Sequence, residues 1–528
     1  VSRIFLFTQT GGRLKHHAGK GPHIRDLIAR HKLEVEQADN WWVVHADNAR
    51  DARNYIARST EGRIMAKGGK HRGRPEIQPP PLPGGGGTTG GGVAVTGGFP
   101  RIWMYWGTNF AGIPIQTSPG VFDMDMVARL ARWNLVTLNT RPWRSFLTPD
   151  ASYPIDTLLR AENPDIKLVW YDILQTQFRS VTPGSMVKAM WDVVSSGPDK
   201  RLFQLDGNSF PNNKPALYEV DQWWDVAATP TEAAEMVAVW QAYLYGKGGD
   251  GFFVDWFNNA AVPGTVSPLD YARAGYASLQ AIKDANLIAN ADFATRLKAI
   301  GDMLFVNRAD LALNLDDATT FNVCTGEIFE GWDPDQGQGG GAAPGNNPAA
   351  WTFDSAMTHG CRWQGANPTD DGWFLIKGET GSATPSTSAK NKLMRYCLGC
   401  ACVTGGLSYV GNNRNNDSAG TSDDTLFWAD EYAVNLSTGT TDETGAAANR
   451  GWLGRPTEFG SRDSGTGMWT RRFTNGMVIV NGPGSSHTYT LPAQMRRIQG
   501  FYDTTVNDGS LVTSVTVPSK DARFLLNA

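Results

Sequence analysis

Long apolar runs are missing from this chain. No stretch of 18 or more apolar residues occurs in its 528 residues, so the sequence offers no membrane-spanning helix. Residues 1–30 hold only the short apolar run Ile4–Phe7, and no signal-peptide core is expected there. On that reading any export takes another route, such as release of a whole particle by lysis. Net charge is nearly absent as well: 48 Lys and Arg stand against 52 Asp and Glu, so no global basic field points to nucleic acid. Cysteine is sparse. Cys324, Cys361, Cys397, Cys400 and Cys402 are too few and too scattered for a disulfide framework. The run Cys397-x-x-Cys400-x-Cys402 has no second Cys/His pair at zinc-ligand spacing and lies in a helical apolar stretch, Lys392–Val403. Reduced core thiols are the expectation, with no metal and no cofactor.

Histidine is scarce where chemistry would need it. Six of the eight fall before residue 77, which leaves His359 and His487 for the rest of the chain. Catalysis by Ser/His or Cys/His pairs therefore has almost no base to use. The sequence also lacks a G-x-S-x-G elbow, an H-E-x-x-H pair and a kinase signature.

What is present is a foldable, unusually indole-rich chain. Apolar residues make up 41% and charged residues 19%, which excludes a largely disordered protein, and the length predicts two or three domains. The 19 Trp fit either a large core or surfaces that stack sugars. Ile77–Gly92 reads IQPPPLPGGGGTTGGG, a stiff proline segment followed by a flexible glycine one, and marks residues 77–99 as a linker. Before it, residues 1–76 carry 15 Lys and Arg against eight Asp and Glu, whereas the remainder carries 33 against 44. Strand patterns at Arg3–Thr8 and Trp41–His45, with helical patterns at Ile24–His31 and Ala49–Ala57, predict a small α/β unit of βαβα type. It reads as an anchoring or docking module. Nucleic-acid binding is the alternative, disfavoured because aromatics are not interleaved with the basic residues.

From Pro100 to about residue 430 short apolar runs alternate with helical patterns. Strands are expected at Arg101–Trp106, Leu135–Thr140, Ile166–Asp172, Leu202–Asp206, Gly251–Trp256, Met303–Asn307, Thr325–Glu330 and Gly372–Lys377, with the helix Lys390–Val403 after the last. Eight continuous apolar strands separated by helices predict an α/β fold, a (β/α)8 TIM barrel. Residues 431–528 change texture. Met477–Asn481, Thr488–Leu491 and Leu511–Val517 are short, β-branched and bounded by turn residues, which predicts a C-terminal antiparallel β domain of sandwich type.

Active sites of such barrels lie at the C-terminal ends of the strands, so the residue that closes each strand matters. The expected third to fifth strands end in Tyr171-Asp172, Asp206 and Asp255-Trp256, and the seventh in Glu330-Gly331-Trp332. The first two end in Trp106 and in Asn139-Thr140-Arg141. Carboxylates at apolar strand ends are desolvated, and neighbouring charges split them into acid and base roles. Indoles and a phenol beside them offer flat faces to sugar rings. That combination is the make-up of a glycosidase, in which one carboxyl protonates the leaving oxygen and another attacks or activates water. Asp255 and Glu330 are the expected catalytic pair, in unassigned order. Asp172 and Asp206 would support them, while Trp106, Asn139, Arg141, Tyr171, Trp256 and Trp332 would bind substrate.

At Gly249–Trp256, GDGFFVDW, the sequence begins to resemble the glycoside-hydrolase-like TIM-barrel families. It is most similar to a group of hypothetical glycosyl hydrolases. GEIFEGW before and at Trp332, FWADEYAVNL at Phe427–Leu436 and WTRRFTNGMVIVN at Trp469–Asn481 carry the resemblance over residues 100–500. It implies a barrel acting on glycans, with Asp255 as the strand-five acid and Glu330 as the strand-seven acid. Insertions at Ser209–Thr229, Gly337–Ala350 and Gly411–Thr425 depart from a plain member. A sugar-directed barrel on a hinged basic module looks like a phage tail or baseplate component. Its expected location is the virion, or otherwise extracellular. The expected partners are a bacterial surface polysaccharide and, through residues 1–76, other virion proteins, in a homo-oligomer for which a trimer is the expectation. A non-catalytic glycan-binding adhesin or structural tail protein on the same scaffold is the competing reading.

Overall fold

The computed structural model describes residues 3–10, 13–17, 37–38, 41–46, 98–105, 116–118, 121–139, 155–173, 176–178, 221–223, 237–241, 248–255, 277–278, 281, 292–307, 323–330, 332, 352–364, 373–379, 387–411 and 428–528. The chain divides into two units, Val1–Pro80 and Pro81–Ala528, with the division inside the expected linker.

In the first unit, β1 (Arg3–Thr10), β2 (Arg13–His17), β3 (Gln37–Ala38) and β4 (Trp41–Ala46) form one sheet in the order β2-β1-β4-β3. The two expected strands are present. They pair antiparallel, Phe5 opposite Val44 and Phe7 opposite Trp42, whereas a βαβ crossover would make them parallel. β2 also pairs antiparallel with β1, with Thr10 opposite Arg13. The expected helices Ile24–His31 and Ala49–Ala57 lie outside the described residues.

The second unit is built on eight parallel strands: β5 (Trp103–Tyr105), β6 (Leu135–Asn139), β7 (Lys167–Ile173), β8 (Gly251–Asp255), β9 (Met303–Asn307), β10 (Gly326–Glu330), β11 (Phe374–Glu379) and β12 (Leu407–Gly411). They lie side by side in chain order. The ends meet where Ile102 bridges Ser408 and the Ser408 N–H donates to the Arg101 carbonyl at 3.4 Å. Starting at Tyr105, the register passes through Thr137, Val169, Gly251 and Met303. At the same offsets it runs on through positions 324, 371 and 403 and re-enters the first strand at 97, eight residues before its start. A displacement of eight is the shear of a TIM barrel. This is a (β/α)8 barrel.

Seven of the eight expected strands are present, with Gly372–Lys377 observed as the seventh, Phe374–Glu379, and one barrel strand, Leu407–Gly411, was not expected. Gly251–Asp255 pairs with β7 on one edge and β9 on the other and is the fourth barrel strand; the expected fourth, Leu202–Asp206, lies outside the described residues. The eighth is Leu407–Gly411, three residues beyond the long helix α4. Helices α1 (Met124–Leu130), α2 (Ile155–Glu162), α3 (Phe353–Cys361) and α4 (Thr387–Thr404) are described in full. The Asp123 carboxylate caps α1 by accepting from the Met126 N–H at 3.1 Å, the arrangement that satisfies a free helix-start donor.

The C-terminal sheet runs β13 (Ser461–Arg462), β14 (Trp469–Phe473), β15 (Gly476–Asn481), β18 (Asp521–Asn527), β16 (His487–Arg497) and β17 (Leu511–Val517), all neighbours antiparallel. Strict alternation divides its two faces. Met477, Ile479 and Leu525 join Val515 and Val517 in a separate small core, while Val478, Val480, Ala522 and Phe524 belong to the barrel's core. Helix α4 fills the space between this face and the barrel strands β11 and β12. Gly399 makes that approach possible, since a Cβ there would come within 2.6 Å of the Ala522 methyl and 2.9 Å of Val480. Cys397, Cys400 and Cys402 are buried on the same helix, and burial raises the thiol pKa of Cys400 and Cys402, so these are core thiols.

A buried charge cluster joins α4 to the sheet. Arg395 donates through Nε to Asp521 Oδ1 at 2.9 Å and through Nη1 to Asp503 Oδ2 at 2.5 Å. Beside it Glu431 is buried and accepts from Asn507 Nδ2 at 2.9 Å. Burial pushes the Glu431 carboxyl up to about 7, against the opposing pull of Arg395 and Asn507. Because the folded value is raised, the neutral form is the one the fold favours. The stabilisation is complete below the unfolded value near 4.5 and is lost as pH rises towards 7. The melting temperature of the wild type relative to Glu431→Gln should therefore fall between pH 4.5 and 7 and stay level above it, as read by calorimetry across that range.

Candidate active site at the barrel mouth

Closure with a shear of eight dictates which side chains share a level. On average each strand gains one residue on its neighbour, so positions two strands apart are level when they differ by two from the register. Asp255 is in register with Ile173 on one side and, through β9, with Ile328 on the other. Its level on β10 is therefore 330, and on β6 it is 139. By backbone register Asn139, Asp255, Glu330 and Gly411 occupy the uppermost layer, from the even-numbered strands of the barrel. The layer beneath comes from the odd strands: Tyr105, Tyr171, Asn307 and Lys377. Layers of four drawn from alternate strands are the way such a barrel fills.

Side-chain contacts agree with this layering. Phe253, two residues before Asp255, lies 5.6 Å from the Tyr105 ring and stacks on Tyr171 at 5.7 Å. Phe252 instead packs 5.1 Å from Trp240, in the helical layer. On β10 the carboxylate of Glu327 meets the imidazole of His359 on α3, so 327 faces the helices and the alternate residues Ile328 and 330 share the barrel side. Lower down, the Trp103 indole N–H donates to Thr137 Oγ1 on the neighbouring strand at 2.9 Å.

Asp255 is only 8% exposed, and the phenol of Tyr171, 1% exposed, donates its hydroxyl hydrogen to Asp255 Oδ2. A phenol donor favours the carboxylate form, in opposition to burial. Tyr171 meets Tyr105 edge-on at 6.2 Å, and the Lys377 ammonium stands 4.4 Å from the centre of the Tyr105 ring. Asn307 is buried at the end of β9. Asp255 and the position of Glu330 thus stand in one layer over a floor of two phenols, an amide and an ammonium. An acid fixed by a hydrogen bond, with a second acid two strands away, can supply a proton to one atom and an electron pair to another.

Several expected residues take other places. Asp255 closes the fourth barrel strand and Glu330 the sixth, not the fifth and seventh. Asp172 is in register with Val254 and alternates with Tyr171, so its position lies on the strand face of Leu168 and Trp170, away from the mouth. Tyr171 is no sugar platform, because its ring is packed on Phe253 and its hydroxyl is engaged by Asp255. Trp332 is 2% exposed and wedged edge-on against Phe329 at 4.8 Å and Phe374 at 6.0 Å; it is core. Trp106, Arg141, Asp206 and Trp256 lie outside the described residues. Tyr105, Asn307 and Lys377 were missed, and the parity of each strand end, counted back from a fixed register, is the signal that finds them.

No family model matches the sequence, and no curated protein does. Among solved structures, the chain is similar to the glycoside hydrolase domain of PelA from Pseudomonas aeruginosa, at 17% identity and a TM-score of 0.34, over 61% of this chain and 98% of that one. It is also similar to isomaltulose synthase from Klebsiella sp. LX3, at 10% identity and 0.40, over 81% and 98%. An α-amylase from Geobacillus thermoleovorans complexed with acarbose gives 10% and 0.39, over 81% and 98%. Scores this low leave the barrel resting on its strand register and the site on its own geometry.

The core role of Trp332 has a direct consequence. Trp332→Ala should destabilise the protein by about 3–5 kcal/mol, read as a lower denaturation midpoint. A sugar platform would instead lose binding with the midpoint unchanged.

Proposed function

We propose that the barrel mouth is the active site of a glycoside hydrolase acting on a bacterial surface polysaccharide. The observation that carries the reading is the placement of Asp255 and Glu330 in one layer at the C-terminal end of a closed barrel, with Asp255 held by the Tyr171 phenol. The phenol makes Asp255 the carboxylate of the pair, the group that attacks the anomeric carbon or takes a proton from water. Glu330 then delivers the proton to the leaving oxygen. We further propose that residues 1–76, basic and set off by the Pro/Gly linker, dock the enzyme to a virion tail as a homo-oligomer. The charge contrast between the two parts of the chain supports that assignment.

Asp255→Asn and Glu330→Gln should each lower release of reducing ends from envelope polysaccharide by about 10²–10⁴-fold while leaving sedimentation with the polysaccharide intact. Wild-type binding without any release of reducing ends would leave a glycan-binding protein on this scaffold, and undiminished cleavage by Asp255→Asn would remove the pair.

A further inference from the structure

Lysine is an unusual side chain for the interior of a parallel barrel. An ammonium brought even partly from water into such a wall loses solvation unless opposite charge compensates it. Lys377 is half-buried, on the seventh barrel strand, one layer below the acids. Its Nζ stands 4.4 Å from the Tyr105 ring centre, over the negative face of the ring that attracts a cation. The ring therefore orients the ammonium. Two acid positions, Asp255 and Glu330, lie in the layer above, and Glu330 is the direct strand partner of Lys377.

We propose that Lys377 is the positioning cation of the mouth, the charge that keeps Asp255 ionised. Two arms carry the effect. The first is the field of the ammonium itself, acting through a wall of low polarity where charges interact more strongly than in water. The second runs along the floor: Tyr105, beneath the ammonium, abuts Tyr171, whose hydroxyl donates to Asp255. A nearby cation makes that phenol a stronger donor. Two carboxylates in one layer would otherwise oppose each other's ionisation, and one cation beneath them lets the pair hold a carboxylate and an acid at neutral pH. Among the described residues, the titratable groups of these upper layers are Tyr105, Tyr171, Asp255 and Lys377, with the position of Glu330 beside them and Tyr409 one layer down, 6.4 Å from Tyr105. Lys377 is the only cation in that set. The inference rests on the hydrolase reading for its purpose but not for its test.

The test is a titration of the full-length protein carrying ¹³C-carboxyl aspartate, with the Asp255 signal identified by its loss in Asp255→Asn. In Lys377→Met the Asp255 midpoint should rise by about one pH unit, and Lys377→Arg should hold it at the wild-type value. Tyr105→Leu, which removes the ring under the ammonium, should move it in the same direction and serves where the methionine variant does not fold. An unmoved midpoint in the folded neutral variant, or an equal rise in the arginine variant, would overturn the proposal. If the wild type cleaves polysaccharide, the acid limb of kcat/KM should rise in parallel. A shifted midpoint with no cleavage by any form would leave Lys377 in its role and remove the hydrolase, whereas cleavage with an unmoved midpoint would do the reverse.

Discussion

A closed sheet of eight parallel strands has no freedom in where it places its side chains. Once Ile102 bridges Ser408 and the register returns displaced by eight, the level of each inward residue is fixed by its strand number. Gly251 and Gly326 show how tightly the strands are held to that pattern. A Cβ at Gly251 would lie 1.8 Å from the Met303 carbonyl oxygen, and one at Gly326 would lie 2.0 Å from that of Trp373. Both glycines begin strands that end in an acid. Loss of either contact would displace the strand whose last residue stands in the uppermost layer, and so the mouth inherits its geometry from the opposite end of the barrel.

The C-terminal sheet extends the same logic outward. Helix α4 is covered by barrel strands on one side and by β14, β15 and β18 on the other, so it has no solvated face over its last three turns. A helix in that position cannot use amphipathicity to choose its orientation. Arg395 supplies the orientation instead, through carboxylates at both ends of its guanidinium. Asp430 reinforces the partner side by accepting the N–H groups of Phe501, Tyr502 and Asp503 at 2.8–2.9 Å. Since α4 leads through Gly405 into β12, the strand that closes the barrel, this cluster also locates the closing strand. The accessory sheet is thereby part of what keeps the barrel shut.

How much of this was legible in the sequence follows from what each signal measures. Fold class came through because parallel strands are buried on both faces and read as continuous apolar runs, of which GFFVD and MLFVN are the clearest. The order of the strands was misjudged because an apolar run does not say what it pairs with, so Gly251–Asp255 and Gly372–Lys377 were each expected one place too late and Leu407–Gly411 was not expected at all. Leu202–Asp206 has the composition of a strand, yet the strand that follows β7 in the barrel is Gly251–Asp255. LSYVG follows a helix whose last turns are buried on every side, where an apolar stretch gives no periodic change to mark where helix stops and strand begins. The indoles posed a different difficulty. Composition left them divided between core and sugar-binding surface, and every Trp whose side chain is described proves to be buried. Counting tryptophans measured the size of the core.

Asp255 was legible for a sound reason: it follows four apolar residues that the strand must bury, so its carboxylate is carried to the end of the barrel with them. Its neighbours were not, because their relation to it is one of level, and level requires the register and shear of the whole sheet. Tyr171 and Asp172 are adjacent in sequence and look equally suited to the mouth, yet period-two alternation admits one and sends the other to the opposite face. Lys377 closes the expected strand Gly372–Lys377, where sequence alone says nothing about what its side chain faces. Register supplies the answer, because the residue pairs with Glu330 and its ammonium is held over Tyr105 within the barrel. An acid at a strand end is informative alone. A cation at a strand end becomes informative only when the acids level with it are known.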